Sequence, residues 1–141
     1  AYMSSGLYAG WSVQVQGMIA RHERDVLDGL YVRGMQPVRV MHDDNYDTIT
    51  VRIAAQCSDY IINDQTGKKV SGNKRSEDWV ELWTFQRAAG ATTLVEGGIT
   101  EQKCPNCGAP LKVNENGSCE YCHAPVTSGR FDWVLTRIDQ V

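Results

Sequence analysis

The sequence predicts an α+β fold in which a curved antiparallel sheet wraps an N-terminal helix. Near the start of the chain, apolar residues recur at helical spacing. From Gln36 onward the period changes to two, which is typical of strands with one buried face. Two Cys-x-x-Cys motifs then separate the last apolar segment from the other strands. This order of helix, strands, insert and strand is typical of an α+β domain with an inserted module.

The helix is predicted over residues 4–28, with Ser4 or Ser5 as its N-terminal cap. Its apolar positions fall on one face, which we expect to pack into the core. The face consists of Leu7, Trp11, Val15, Met18 and Ile19. The charged residues 21–28 are expected to end the helix or to form a short second one.

The strands follow from alternation and from the turn residues between them. PVRVMH predicts a short strand, DDNY a turn, and DTITVRIAAQCSDYII a long strand that buries Ile53, Ala55 and Cys57. The polar, Gly-containing segment at 63–78 is predicted to be a turn or a long hairpin tip. DWVELWTFQRA and RFDWVLTRIDQV are the remaining strand candidates.

The cysteine motifs predict a zinc ribbon. Two tight turns of the form Cys-x-x-Cys, eleven residues apart, can point four thiolates at one ion in a tetrahedral site. The predicted ligands are Cys104, Cys107, Cys119 and Cys122. Such a site is closed to water and substrate and is therefore structural. Redox chemistry and ligation by His123 are the alternatives.

The predicted organisation is one α+β domain formed by residues 1–99 and 126–141, interrupted by the zinc ribbon at 100–125. With 141 residues, of which 42% are hydrophobic and 22% charged, the chain is long enough to bury a core. Neither a segment of transmembrane length nor a signal peptide is predicted within it. Because it opens with AYMSSGLYAGW and not with Met, we interpret it as part of a longer protein.

Two surfaces are candidate binding sites. One is a basic segment that can dock on anionic lipid headgroups, at about 1 kcal/mol per residue, with a solvated hairpin tip as the favoured alternative. It comprises Lys68, Lys69, Lys74 and Arg75. The other is a set of aromatic residues that can line an apolar pocket, with ordinary core packing as the alternative. It comprises Trp79, Trp83, Phe85, Tyr46 and Tyr60.

Catalysis and nucleic-acid binding are not indicated. Nothing in the sequence places His22, His42 or His123 beside an acid or a nucleophile, and Arg52 with Glu81 is expected to form a cross-strand ion pair. The net charge of −3, and a ribbon with more acids than bases, make a poor phosphate-binding surface.

Four stretches together resemble the bacterial Tim44-like family, relatives of the C-terminal domain of the mitochondrial inner-membrane import-motor anchor. They are DTITVRIAAQCSDY, VSGNKRSEDWVELWTFQR, CPNCGAPL and CEYCHAPVTSGRFDWVL. The resemblance implies a cone-shaped fold, similar to nuclear transport factor two and to cystatin-like domains. It also implies a non-enzymatic domain at a membrane, with a lipid-binding pocket. The chain departs from the family by lacking its first helix, and the mitochondrial protein lacks the cysteine module.

These interpretations combine into a hypothesis on function. We expect a non-enzymatic, membrane-associated module that binds lipid or another apolar ligand and holds one structural zinc ion. Its partner is a membrane lipid or a protein, not a nucleic acid, and its location is the cytoplasmic face of a membrane, reached through a segment outside this sequence. The alternatives are a protein-binding scaffold and a small-molecule enzyme of the cone-shaped fold.

Overall fold

The computed structural model describes residues 2–94 and 96–141. The helix and strands are β1 (Tyr2–Met3), α1 (Ser5–Ala20), β2 (Glu23–His42), β3 (Tyr46–Asn63), β4 (Lys69–Ala88) and β5 (Val134–Gln140). A short 3-10 turn covers Ile99–Glu101. The sheet has the order β1-β5-β4-β3-β2 and is antiparallel except at β1, which runs parallel to β5. The predicted fold class is confirmed, with a curled sheet that is mixed because of β1.

Helix α1 is shorter than the sequence predicts. Ser4 caps it, since its hydroxyl oxygen accepts a hydrogen bond from the Leu7 N–H at 3.3 Å. The helix ends at Ala20, and β2 already begins at Glu23. The expectation that residues 21–28 extend the helix or form a second one is therefore wrong. These charged residues belong to an exposed edge strand. Because neither face of the strand is buried there, its sequence does not alternate between apolar and polar residues.

The helix is attached to the sheet mainly at its two ends. The Ser4 N–H donates to the Leu135 carbonyl at 2.8 Å, and beyond the other end the His22 carbonyl accepts from the Asp64 N–H at 2.8 Å. No residue of α1 is buried, and the expected core packing is wrong for Trp11, Val15 and Ile19, whose exposed fractions are 42%, 45% and 59%. The helix mainly contacts β2 and β5, which lie on either side of β3 and β4, so its apolar stripe does not pack along the buried residues of β3.

The alternation predicted for the long strand is confirmed in β3. Ala55 pairs with Val32 of β2 on one side and with Trp79 of β4 on the other. Ile53, Ala55 and Cys57 are buried along this face. The Trp79 indole N–H donates to the Cys57 sulfur at 3.3 Å, so Cys57 is a small residue of the core.

Strand β4 begins earlier than the sequence predicts. The turn that precedes it is short, because the Asn63 side-chain oxygen accepts hydrogen bonds from the Gln65 and Thr66 N–H groups at 2.9 and 3.0 Å. Most of the segment predicted as a hairpin tip therefore pairs with the distal half of β3. Cross-strand pairing here overrides a polar, Gly-containing composition.

Gly72 is the tightest point of this pairing and generates a test. A Cβ there would lie 2.5 Å from the Asp59 carbonyl oxygen and 2.5 Å from the Tyr60 Cα. Gly67 has a similar positive φ of 73° but open space around it. We expect Gly67→Ala to cost about 1–2 kcal/mol for the left-handed backbone alone. Gly72→Ala should cost about 1–3 kcal/mol more, because the backbone must also shift.

Urea denaturation followed by tryptophan fluorescence measures both free energies of unfolding. Equal losses for the two variants would contradict the close approach of β4 to β3 at Gly72.

Candidate metal centre

The four cysteines of the insert come together in space. Their sulfur atoms all lie within 4.8 Å of one another, with 3.7 Å between Cys104 and Cys122 and 3.9 Å between Cys107 and Cys119. Four sulfurs around one ion at zinc–thiolate bond length form a tetrahedron with edges of about 3.8 Å. The cluster therefore has the size and the soft donor set of a tetrahedral metal site.

The first motif forms a turn that aims its two sulfurs. The Cys104 N–H donates to the Ala109 carbonyl at 2.9 Å, and the Gly108 N–H donates back to the Cys104 carbonyl at 2.9 Å. Gly108 adopts a positive φ of 75°, which lets the chain fold back tightly.

The second motif repeats this geometry residue for residue. The Cys119 N–H donates to the Ala124 carbonyl at 3.0 Å, and the His123 N–H donates to the Cys119 carbonyl at 2.9 Å. His123 occupies the position of Gly108 and also has a positive φ, of 62°. The turn therefore explains the left-handed backbone of His123. The four cysteine sulfurs form a complete tetrahedral set without its imidazole.

Neighbouring dipoles act unequally on the sulfurs. Hydrogen bonds from the Asn106 side-chain amide and the Ala124 N–H lower the pKa of the Cys122 thiol to about 6. For Cys107 the Ala109 N–H acts in the same direction, but desolvation and the three other cysteine sulfurs outweigh it and raise the pKa to about 11. Four thiolates in contact repel one another, and a divalent cation at their centre removes that penalty.

A small apolar cluster supports the sulfurs. Cys104 and Cys119 are buried together with Val126, and partly buried side chains pack around them. The surrounding residues are Leu111, Val113, Cys122 and Phe131. Between the motifs, the Asn114 side-chain oxygen accepts from the Asn116 and Ser118 N–H groups at 2.9 and 3.1 Å, which closes a tight turn. The insert therefore has a core of its own, with the metal ligands as part of it.

Arg87 connects this module to the sheet, a role that no pattern in the sequence indicates. Its guanidinium lies 4.5 Å from the centre of the Trp133 ring, which is within cation–π range. Its Nη1 donates to the Thr93 hydroxyl at 3.1 Å. Beside it, the Ala88 N–H donates to the Gly129 carbonyl at 2.6 Å. The end of β4 therefore holds both the segment entering the insert and the segment leaving it for β5.

Three of the five predicted pocket aromatics lie on one face of the sheet. Trp79, Trp83 and Phe85 pair with Ala55, Val51 and Ile49, so they share the face that is buried at the centre of β3. The rings of Trp83 and Phe85 lie 6.5 Å apart, and all three side chains are half-buried.

The two predicted tyrosines lie elsewhere. Tyr46 pairs with Ala88 in an unbroken register, which places it on the face opposite to Phe85. Tyr60 lies near the distal end of β3, where the Lys74 ammonium sits 5.5 Å from its ring centre. The structure thus brings together the β4 aromatics and separates both tyrosines from them.

A shallow cavity of about 270 Å³ lies on the face that the threonines of β3 and β4 share. None of the five predicted aromatics lines it. Its walls are Val38, Arg39, Thr50, Leu82, Thr84, Arg137 and Asp139.

The predicted basic residues remain together at the start of β4. All four are exposed, as is the intervening Val70. They are Lys68, Lys69, Lys74 and Arg75. The Lys69 ammonium donates a hydrogen bond to the Gly72 carbonyl, three residues further along the chain, at 3.2 Å.

Two of the histidines lie beside an acid, which the sequence does not indicate. His22 lies 3.9 Å from Asp64, and His42 is hydrogen-bonded to Asp47, so two histidines do lie beside an acid. Both histidines are more than half exposed, which is typical of surface pairs.

Arg52 and Glu81 do not form the expected ion pair. Arg52 pairs with Leu82 and Glu81 pairs with Ile53, so their side chains lie on opposite faces of the sheet. Glu81 instead accepts a hydrogen bond from the Trp83 indole N–H at 2.8 Å.

Comparison with known proteins identifies one family. The family model described as Tim44-like domain matches residues 1–96. The cysteine insert and β5 lie beyond the matched range. No curated protein and no solved structure matches the chain. Within the described residues, no helix has the length and apolar character needed to cross a bilayer.

Cys104→Ser tests the metal site. Changes that only disturb the surroundings of a metal ligand weaken binding by about 10–100-fold, so loss of a ligand sulfur should cost more. We expect loss of bound metal and a lower melting temperature, measured by elemental analysis and calorimetry. Cys57→Ser is the control, because Cys57 lies in the sheet core and should leave the metal content unchanged. Unchanged metal content and melting temperature in Cys104→Ser would contradict the site.

His123→Gly separates the two roles of the histidine. If His123 serves only as the left-handed turn residue, glycine should relieve about 1 kcal/mol of backbone strain and leave the metal content unchanged. Gly108→Ala at the equivalent position should have the opposite effect on the melting temperature. Loss of metal from His123→Gly would instead identify His123 as a ligand.

Proposed function

Because the chain belongs to the Tim44-like domain family, we propose that it is a non-enzymatic module that binds lipid or another apolar ligand at a membrane surface. Its insert holds one zinc ion, and the membrane face is the cytoplasmic one. One observation carries the proposal: β4 has half-buried aromatic side chains on one face and a cluster of exposed basic residues at its start.

The apolar ligand site lies between α1 and the β4 aromatics. Trp79, Trp83 and Phe85 offer half-buried rings on the face that is buried at the centre of the sheet. No residue of α1 is buried, and its main contacts are with β2 and β5, so the helix leaves the aromatic rings of β4 incompletely covered. Apolar side chains with few polar groups are typical of pockets for apolar ligands. An acyl chain between helix and sheet would cover surface that both now expose.

The membrane contact lies at the start of β4. Residues 68–75 carry four positive charges and no negative one, with the exposed Val70 among them. Near an anionic membrane each such charge contributes about 1 kcal/mol, and salt weakens the attraction. The cysteine insert is attached at the other end of β4, so it does not compete for the same surface.

Zinc has a structural part in this proposal. Four thiolates leave no open coordination position for water or substrate. The ion would hold the two turns of the insert together, and the contacts of Arg87 with Trp133 and Thr93 would carry that order to β4. β5 would then reach its place beside β4 without a long unstructured connection.

Charge-neutral substitution tests the membrane contact. We expect Lys68, Lys69, Lys74 and Arg75 changed together to Gln to reduce binding to phosphatidylserine vesicles by more than tenfold at low salt. The matched control changes Lys103, Lys112, Arg130 and Arg137 to Gln, which removes the same charge from the insert, the segment that follows it and the C-terminal strand. Vesicle flotation measures both variants. Equal losses would show that binding follows net charge and not the β4 surface.

Native mass spectrometry of the purified chain separates the binding module from a scaffold. A mass excess of one zinc ion plus a lipid, with the lipid lost in Trp83→Ala, is the expected result. One zinc ion on an otherwise bare chain would favour the protein-binding scaffold.

A further inference from the structure

β2 is the outermost strand of the sheet and is almost wholly exposed. It spans 20 residues, and β3 is its only strand neighbour among the described residues. Many of its apolar side chains have exposed fractions between 44% and 71%. They are Leu27, Leu30, Tyr31, Val32, Met35, Val38, Val40 and Met41. Exposed apolar side chains in this number on one strand are typical of an interaction site.

The register shows why this surface is open. Val32, Met35 and Val40 pair with Ala55, Ile53 and Ile49, so they lie on the same face as the buried centre of β3. Side chains on this face are buried at the centre of β3. On the neighbouring strand β2 they are exposed, and the exposed fractions of Met35 and Val40 are 67% and 71%. The apolar face of the sheet therefore runs out to an uncovered edge.

The total surface area is also too large for a compact monomer. The chain exposes 9546 Å² at a mass of 15.7 kDa. A monomeric globular protein of this mass exposes about 7,300 Å². The excess of about 2,200 Å² is larger than the roughly 800 Å² that each partner contributes to an interface of standard size.

We propose that two copies of the chain associate through β2, antiparallel to each other about a two-fold axis near the middle of the strand. Such an interface is self-complementary, because the same surface serves both partners. It extends the apolar face of one sheet into that of the other. It also uses up the long free edge, while the opposite edge of the sheet is the two-residue β1, so association ends at two copies.

The charges along β2 fit this orientation. Residues 23–28 contain three acids and one base, for a net charge of −2. Residues 33–42 contain Arg39 and Arg33 and no acid, for a net charge of +2, although Arg33 also pairs with Asp78 of β4 at 2.7 Å. Antiparallel association places the acidic half of each copy opposite the basic half of its partner. A parallel arrangement would place like charges together. Complementary charge of this kind selects the orientation of a complex more than it sets its affinity.

The irregularities of β2 define the kind of contact. The strand is bulged between Asp28 and Tyr31, between Val32 and Gly34, and between Pro37 and Arg39. Pro37 also has no backbone N–H to donate. A continuous hydrogen-bonded ladder between two copies is therefore excluded, and apolar side chains and charge pairing carry the association.

The test is the molar mass of the full chain in solution, measured by light scattering over a dilution series. We expect a dimer at micromolar concentration. Met35→Lys should weaken dimerisation by more than tenfold, because it places a charge in the apolar contact. Val70→Lys is the matched control, since Val70 is 53% exposed but lies at the start of β4, outside the interface.

Charge reversal tests the antiparallel orientation. Asp25→Lys with Asp28→Lys makes both halves of β2 basic, and Arg33→Glu with Arg39→Glu makes both acidic, so each pair of changes should produce a monomer. All four changes in one chain restore opposite charge on the two halves and should restore the dimer. All four positions are exposed, and circular dichroism with metal analysis verifies folding.

Three outcomes would overturn the proposal. A monomer at every concentration, including one that binds vesicles through β2, would show that this surface does not serve a second copy. A dimer that Met35→Lys leaves intact would place the interface elsewhere. Failure of the fourfold reversal to restore a dimer that each pair abolishes would exclude the antiparallel arrangement.

Discussion

The pairing of β3 with a long strand on each side is the interaction on which the rest of the structure depends. β3 pairs with β4 from Tyr46 to Ile62 and with β2 from Asp47 to Asn63. Because its side chains alternate strictly, one face collects the buried residues of the sheet and the other collects threonines and polar groups. The faces of β2 and β4 are then fixed by register. The aromatic rings of β4 therefore share a face with Val32, Met35 and Val40 of β2, and no residue of α1 is buried.

The cysteine module gives structure to the long connection between β4 and β5. β4 ends at Ala88 and β5 begins at Val134, and a loop of that length without structure of its own is uncommon in a compact domain. The module replaces such a loop with two equivalent turns and a small apolar cluster around the sulfurs. Arg87 then fixes the module at the point where the chain leaves and rejoins the sheet. The cysteine turns and the placement of β5 are thereby linked through Arg87 and through the backbone bond between Ala88 and Gly129.

Local patterns in the sequence predicted the features that local geometry determines. The Cys-x-x-Cys spacing dictates where the sulfurs of one turn point, and the alternation of β3 dictates its buried face. Features that depend on contacts between distant segments leave no local pattern in the sequence. Residues 23–28 are charged because their strand is an exposed edge, and the same composition suits a helix end. The separation of Tyr46 from Phe85 depends on a cross-strand register, and the contact of Arg87 with Trp133 joins segments that only the folded insert brings together.

The parallel pairing of β1 with β5 has a consequence for the order of assembly. Tyr2 pairs with Val134, so this contact closes nearly the whole chain into one loop, whereas β2, β3 and β4 are joined by short turns. Closing a long loop costs more conformational entropy than closing a short one, and non-local pairing is correspondingly slow. The three long strands are therefore expected to form first as a meander. The pairing of the two chain segments at the β1 edge, which also positions the start of α1 through Ser4, completes the fold last.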